Sequence, residues 1–382
     1  MKSHLDVYHA TLTALSPVFV GSGRSIMKQE YLVDQSLTIH VFDLPKLYAR
    51  LNERNLGASY ENFLRRSGRF SEWMTQNHIK LQDISDCVRY RLKNSDLSFG
   101  ENELKTLEIQ EFAKDPYGLP YVPGSGIKGM LRTVLLSSEI MNDRPGFDHF
   151  KDEVRRELDE YIERDNKFDR HKPNRFLLKS QADSIEARGF RTLECDRKNR
   201  RNAVNDILKG FIVGDSEPLS TDQLSVCQRI ETHRDGTESK LNVTRECLKP
   251  GTKINFTLTV DRSVCKYTAE SILGAVRQFG ESYNTYFVEK FKGAEPLPEG
   301  CLLLGGGCGF ASKTVTYPLF GEDGVPQVID IFWGTQPEKI FYRHKHDESE
   351  EYNLAPHILK TSRYQGKLYQ TGVCKIEFRR LK

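Results

Sequence analysis

Apolar and polar residues alternate from Val7 to Leu15, where Tyr8, Ala10, Leu12 and Ala14 are set between His9, Thr11 and Thr13, the period of a strand with one buried face. Ser16-Pro17 ends it, and the apolar run Val18-Phe19-Val20 leads into Gly21-Ser22-Gly23-Arg24, which reads as a flexible polar loop with a cation at its tip. Tyr31 to Val41 reads as a hairpin through Asp34-Gln35-Ser36, and Leu44 to Leu64 as helix. Further strands are predicted at Gly210 to Ser216, Leu224 to Thr232 and Lys253 to Val260, with Arg245-Glu246 and the turn Pro250-Gly251 between the last two. A helix from about Thr268 to Phe291 places Ile272, Val276, Phe279, Tyr283 and Phe287 on one face. Cys301 to Leu304 reads as a strand feeding Gly305-Gly306-Gly307-Cys308-Gly309, Gly321 to Asn353 as loop-rich, and Val373 to Phe378 as a closing strand. Strands and helices in this mixture predict an α+β fold.

One segment stands apart. Pro120-Tyr121-Val122-Pro123-Gly124-Ser125-Gly126-Ile127-Lys128-Gly129-Met130-Leu131-Arg132 follows a turn at Asp115-Pro116-Tyr117-Gly118 and launches a helix with Ser125 or its neighbour as N-cap. Ile127, Met130, Leu131, Val134 and Leu135 form the buried stripe, while Lys128 and Arg132, four apart, share the opposite face. Two cations and free backbone N–H groups at one helix start suit an RNA phosphate.

The bulk properties change this picture little. The chain has 382 residues, 38% hydrophobic and 29% charged, as soluble globular proteins have, and is long enough for two units or one heavily inserted unit. Its net charge of +3 means that a polyanion would have to be held by cations gathered on one face. The N-terminus lacks a signal-peptide core and no run approaches the roughly 20 apolar residues of a membrane helix, so no membrane partner and a cytoplasmic location are expected. Eight cysteines without a Cys-x-x-Cys pair read as buried thiols. From about Phe147 to Arg201 the chain is densely charged and helical in pattern, an insertion or mobile loop ending in Arg188, Arg191, Arg197, Lys198, Arg200 and Arg201.

Candidate chemistry is sparse. Gly307-Cys308-Gly309-Phe310-Ala311-Ser312-Lys313-Thr314 nearly matches a phosphate-binding P-loop, but Ser312 replaces the second glycine, and β-branched residues and Pro318 stand where a long helix is needed. The same residues also read as a glycine turn at a strand end, or as a loop letting RNA backbone approach while Lys313 neutralises a phosphate. His4, His9 and His40 could serve as a general base, His344 and His346 read as solvated surface, and Asp34, Asp43 and Asp215 are isolated. No catalytic constellation, cofactor or metal site emerges.

Together these pieces resemble the RAMP superfamily, the RNA-binding proteins of CRISPR effector complexes. Ser16 to Gly23 resembles its N-terminal pattern, Tyr121 to Gly129 its Pro-Gly-Ser-Ser and Lys-Gly motif with Gly126 in place of the commoner serine, and Leu304 to Phe310 its glycine-rich loop. Val213-Gly214-Asp215-Ser216, Arg245-Glu246-Cys247, Phe310 to Thr314 and Gly372 to Ile376 narrow the resemblance to the fifth subunit family of the type III-A Csm effector.

The resemblance implies a ferredoxin-like, RRM-related domain over residues 1–262 with an insertion at about 147–205. A smaller α/β, RAMP-like part with the glycine-rich loop would follow over 263–382. It also implies a non-catalytic subunit that binds the 3′ region of CRISPR RNA, caps the guide there beside backbone and small Csm subunits, and supports 3′ maturation by bringing in host nucleases. The expected groove joins Gly21, Ser22, Gly23 and Arg24 to Ser125, Lys128 and Arg132 and to Gly305, Gly306, Gly307 and Lys313, with Arg363 and Lys367 as further candidates. The competing expectations are another RAMP position, such as the 5′-end cap, and a metal-independent repeat endoribonuclease using His9 or His40 as base and Lys313 as charge stabiliser.

Overall fold

The alternation of Val7 to Leu15 forms the strand it predicts. In the computed structural model, which describes residues 4–66, 68–94, 108–167 and 171–381, strand β1 (Leu5–Ala14) buries Tyr8, Ala10, Leu12 and Ala14. It pairs antiparallel with β10 (Lys253–Asp261) on one side and β14 (Val373–Arg380) on the other. With β7 (Phe211–Val213) and β11 (Cys301–Leu303) these make a sheet of order β11-β14-β1-β10-β7. Leu12 sits opposite both Ile254 and Ile376, so the two ends of the chain share one core, across the division expected at 262/263.

Two helices cover this sheet. In α4 (Gly124–Asn142) Ile127, Leu131, Val134 and Leu135 are buried, and in α7 (Ala269–Tyr286) Ile272, Val276, Phe279 and Tyr283 are. The stripes bring α4 and α7 together, with α4 touching β7 and α7 touching β11. The Thr268 hydroxyl caps α7 by accepting the Ser271 N–H at 3.2 Å.

A second sheet runs β2 (Gly21–Ile26), β6 (Ile109–Phe112), β9 (Glu238–Leu248), β8 (Leu224–His233), β5 (Val88–Asn94), β4 (Thr38–Phe42), β3 (Tyr31–Val33). Strand β8 is its branch point: one edge pairs with β9, while the other pairs with β5 near its start and with β12 (Ile358–Tyr364) over residues 229–233. A hairpin strand, β13 (Lys367–Gln370), extends β12.

Four expectations need correction. Gly21 to Arg24 lies in the exposed edge strand β2, which pairs with β6 at Gly21, Ser25 and Ile26 around an irregularity at residues 22–24. Leu44 to Leu64 is two helices, α1 (Leu44–Glu53) and α2 (Gly57–Leu64), broken where Asn55 takes a left-handed φ of 60°; with α3 (Phe70–Gln76) they bury Tyr60, Phe63, Phe70 and Trp73. The charged middle is helical, as its pattern predicts, but packed and not a mobile loop: α5 (Arg144–Lys167) and α6 (Lys179–Phe190) send Phe147, Phe150, Val154 and Ile185 into the main core. The stretch after the glycine loop holds α8 (Thr316–Phe320), α9 (Gly324–Thr335) and α10 (Glu338–Arg343), and α5 packs on α8 and α9. Of the cysteines, Cys195 alone is exposed, and all eight are free thiols.

The β3–β4 hairpin carries a testable ion pair. Asp34 Oδ2 lies 2.7 Å from Nε2 of the buried His40. Burial would raise the Asp34 pKa, but His40, the Ser36 hydroxyl and the N–H groups of Ser36 and Thr38 outweigh it and hold the carboxyl at about 2. A lowered folded-state value stabilises above the unfolded value of roughly 3.9, and that stability is lost as pH falls towards the folded value. Asp34→Asn should therefore flatten the fall in stability over that acid window, read from urea midpoints across pH; an unchanged profile would contradict the pairing.

Candidate nucleic-acid interface

The conspicuous helix start of α4 is a packed junction inside the fold. Pro123, not Ser125, precedes the helix, and the Gly124 N–H donates to Asp215 Oδ1 at 2.7 Å. A Cβ on Gly124 would stand 2.4 Å from the Val213 carbonyl oxygen, so only glycine lets α4 approach β7 this closely. The Val122 N–H donates to the Ser216 hydroxyl at 2.9 Å. Two motifs far apart in sequence, Val122 to Gly124 and Val213 to Ser216, thus form one junction, and a carboxylate already occupies the positive end of the helix.

The cations of α4 are used inside the fold as well. Lys128 Nζ donates to the Leu208 carbonyl at 2.7 Å, and burial lowers its pKa. Arg132 pairs with Glu186 at 2.7 Å and Asp206 at 2.9 Å, and its guanidinium carbon lies 4.7 Å from the Phe190 ring centroid. Burial opposes its charge, but the two carboxylates outweigh it and raise the pKa. Ser125 is exposed, and added Cβ atoms on Gly126 and Gly129 would meet nothing. Lys128 and Arg132, expected on the wall of an RNA groove, have partners inside the fold, where they hold α4 to α6 and to the segment before β7. Arg132 does meet Lys313 at one cavity of about 280 Å³, walled largely by apolar side chains such as Leu136, Ile185 and Leu319.

The two glycine segments do come together. Gly305 has φ of +92°, and a Cβ there would stand 2.1 Å from the Phe19 carbonyl oxygen, which also accepts the Gly306 N–H at 2.7 Å. Gly307, with φ of +83°, leaves room for Arg245: a Cβ would stand 2.0 Å from its Nη1. The Phe19 ring lies 4.8 Å from the Arg245 guanidinium, whose Nε donates to Gln110 Oε1 at 2.8 Å. The N-terminal pattern, the glycine loop and the Arg245 motif therefore meet at one place.

Strand alternation extends that place into a strip. Register puts Arg245 opposite Cys227 and Lys360 opposite Glu231, so Arg245, Arg229, Glu231 and Lys360 share a face of β9, β8 and β12. Lys360 Nζ lies 2.5 Å and Arg229 Nη2 3.0 Å from Glu231 Oε1. Burial lowers the Lys360 pKa against the pull of Glu231, and Arg229 and Arg245 push the same way as burial. Three cations thus face one carboxylate. Arg245 is half-buried and, among the described residues, has no carboxylate within ion-pair distance; burial lowers its pKa too. Gly309 stands beside Lys360, and the exposed Lys313 follows at the end of the loop.

The other predicted residues fall outside the strip. Arg24 is exposed on β2, 3.9 Å from Glu111, and its amide N–H donates to the Ser22 hydroxyl; Gly23, with φ of +83°, lies in the irregularity of the strand. Arg363 Nη2 donates to both carboxylate oxygens of Glu238, at 2.7 and 2.6 Å, and alternates away from Lys360, and Lys367 pairs with Glu295 at 3.0 Å. His9 and His40 lie in different sheets. His346 is buried among rings, 4.5 Å from Phe332 and 5.6 Å from Phe341, which corrects its reading as solvated surface. Sequence reading missed Arg229 and Lys360 and named Arg245 without a role. The alternation Cys227, Arg229, Glu231, His233 in a predicted strand was the signal available for the first.

Among the described residues, no helix is long and apolar enough to cross a membrane. The chain belongs to the RAMP superfamily, whose model, described as RAMPs, matches residues 11–311. It is 27% identical over 405 positions, covering 100% of both chains, to a Mycobacterium tuberculosis protein named CRISPR system Cms protein Csm5. A Streptococcus thermophilus protein of that name is 23% identical, with 82% of each chain covered. Two solved structures share the fold. One is a crystal structure of T. onnurineus Csm5, with TM-score 0.59 and 21% identity over 96% of this chain and 99% of that one. The other is a chain of a Csm-crRNA-target RNA ternary complex of a type III-A system, with TM-score 0.60 and 18% identity over 97% and 100%.

Proposed function

We propose that this chain is a non-catalytic RNA-binding subunit of a type III-A Csm effector complex, holding CRISPR RNA along the strip of Arg245, Arg229 and Lys360 under the glycine loop. The observation that carries the reading is Arg245, a half-buried guanidinium without a carboxylate partner among the described residues, set where three glycines bare the backbone. A buried charge is costly unless paired, and an RNA phosphate is the partner that would complete it. Backbone and cation contacts of this kind bind without regard to base sequence, as a subunit serving variable guides needs. The relatives named Csm5 and the similar chain in a Csm-crRNA-target RNA complex support the assignment.

The finer reading places the chain at the 3′ portion of the guide, beside backbone and small Csm subunits, in the cytoplasm, with 3′ maturation done by recruited nucleases. It rests on the family resemblance. A ferredoxin-like core is supported by the path β1, α4, β7, β10, α7 on one sheet, with β14 set between β1 and β11.

Arg245→Gln should weaken binding of single-stranded RNA by about tenfold and reduce the slope of log affinity against log salt by roughly 0.7, the share of one phosphate contact. Lys313→Gln, at an exposed position that leaves folding untouched, should reduce the slope similarly. Unchanged affinity and slope in both folded variants would overturn the strip. For the finer reading, crosslinks from this chain in the purified complex should map to the 3′ region of the guide, and crosslinks concentrated at the 5′ tag would reverse it.

A further inference from the structure

Strand β8 continues beyond Glu231 to His233, and there the surface opens into a cleft of about 970 Å³. Its walls come from β8 and the turn after it, the segment following α7, the end of α10 with the residues after it, and the start of β12. Three imidazoles line it, His233, His344 and His357, and the buried His346 backs them, its ring centroid 5.8 Å from His344 and 5.5 Å from His357. His233 Nε2 lies 2.8 Å from the Ser239 hydroxyl and His357 Nδ1 3.1 Å from that of Ser349, so neighbouring side chains orient two of the three rings.

The charge balance of the cleft depends on those rings. Its cations are Arg234, Lys290, Lys292, Arg343 and Lys345. Against them stand Glu231, Asp235, Glu289 and Glu348, of which Glu231 is taken by Lys360 and Arg229, Glu348 by Lys345, and Asp235 by its own turn through Thr237. With neutral imidazoles the lining carries one excess positive charge, and with all three protonated it carries four. Burial is the largest cause lowering the pKa of His344 and His357, and Lys360 adds to it for both. Burial thus favours the neutral rings of His344 and His357, and an anion brought beside them would favour protonated ones.

The rim adds a surface for a flat ring. Tyr352 is 37% exposed, and the Arg234 guanidinium lies 4.8 Å from its centroid. An aromatic with a guanidinium is a platform on which a nucleobase stacks. Glu231 belongs both to this cleft and to the strip of Arg229, Arg245 and Lys360, so the two adjoin along β8.

We propose that the cleft is a second RNA subsite, in which His344 and His357 as imidazolium ions hold a phosphate and the Tyr352–Arg234 pair takes a base. Binding there takes up protons, so the grip on RNA tightens as pH falls. The inference rests on the reading of the chain as an RNA-binding subunit, and the platform and the adjoining strip favour RNA over an acidic peptide.

The test uses the full chain and a fluorescent ten-nucleotide uridine RNA at fixed salt, at pH 8 and pH 6. Wild-type affinity should rise about tenfold or more between the two, because each linked proton can contribute up to tenfold per pH unit. Calorimetry in buffers of different ionisation enthalpy should show at least one proton taken up. His344→Gln with His357→Gln should lose both the pH response and the proton uptake, so that its affinities at pH 8 and pH 6 become equal. Lys290→Gln with Lys292→Gln, both exposed, leaves folding intact and should weaken binding at both pH values. Arg245→Gln should weaken binding while retaining the pH response. RNA binding that depends on Arg245 but has the same pH response in the histidine variant would overturn the subsite and leave the strip standing. Absence of any RNA binding would overturn both. A ten-residue polyglutamate peptide that binds with the histidine-dependent pH response, where RNA shows none, would assign the cleft to a protein partner instead.

Discussion

Glu246→Ala should destabilise the protein by about 3–5 kcal/mol, the cost of breaking a buried ion pair from one side. Glu246 is fully buried, and its carboxylate accepts from the Tyr90 hydroxyl at 2.6 Å, the Phe112 N–H at 2.9 Å and the Lys114 ammonium. The three donors come from β5, β6 and the segment after β6, so one carboxylate ties β9 to two other elements. Alanine would leave a buried ammonium with Glu111, 3.3 Å away, as its one remaining carboxylate among the described residues, and strand a phenol and an amide without this acceptor. Burial first, then Glu246, raises the Tyr90 pKa, consistent with a phenol that remains a donor. Glu246→Gln keeps an acceptor and should cost less, and adding Lys114→Met should recover part of the loss because the two positions are coupled. Urea unfolding checks all three. A loss below 1 kcal/mol for alanine would mean that water or rearrangement satisfies these donors.

The second large effect is expected at Gly305. Alanine there must take a left-handed backbone, at roughly 1–2 kcal/mol, and displace the Phe19 carbonyl, at a further 1–3 or so typical of overpacking. Backbone is the obstacle at Gly305, so the loop must move away from Phe19 and the Gly306 hydrogen bond goes with it. At Gly307 the obstacle is the far end of the Arg245 side chain. Gly307→Ala should therefore cost less stability but push the guanidinium out of its place, so that RNA affinity falls more than the urea midpoint does. Equal losses of stability at the two positions, with RNA affinity untouched, would show that Arg245 has room to adapt.

These two sites divide the strip into support and contact. Glu246 points away from Arg245 on the same strand and holds β9 to β5 and β6, while Arg245 presents its charge beside the glycine loop. Substitutions at the first should act through folding and at the second through RNA. The same separation applies at α4, where Lys128 and Arg132 belong with the supports.

Local pattern was enough for a large share of the fold. The two-residue alternation in β1, β10 and β14 and the helical stripes of α4 and α7 could be read directly, because one buried face imposes its period on neighbouring residues. Val88 to Asn94 carries the same alternation, Val88, Tyr90 and Leu92 against Arg89, Arg91 and Lys93, and was legible although not predicted. Strand β9 was not, since its first half is exposed on both faces and leaves no period. Helix α9 was hidden by Gly324, Pro326 and Gly334, yet proline in a first turn is compatible with a helix, and Val325, Val328 and Phe332 form its buried stripe.

By itself the sequence determined the strands and stripes that repeat locally, the family resemblance, and the presence of two glycine segments that need bare backbone. Only the tertiary structure decided which charges are spent. Arg132 finds Glu186 and Asp206, 54 and 74 residues away, and so serves the fold, whereas Arg245, on a strand between two others, meets no carboxylate among the described residues. The reason is physical: periodicity reports which face is buried, but a charge acquires a partner through contacts that chain folding brings together from far apart, and nothing in the local pattern records them.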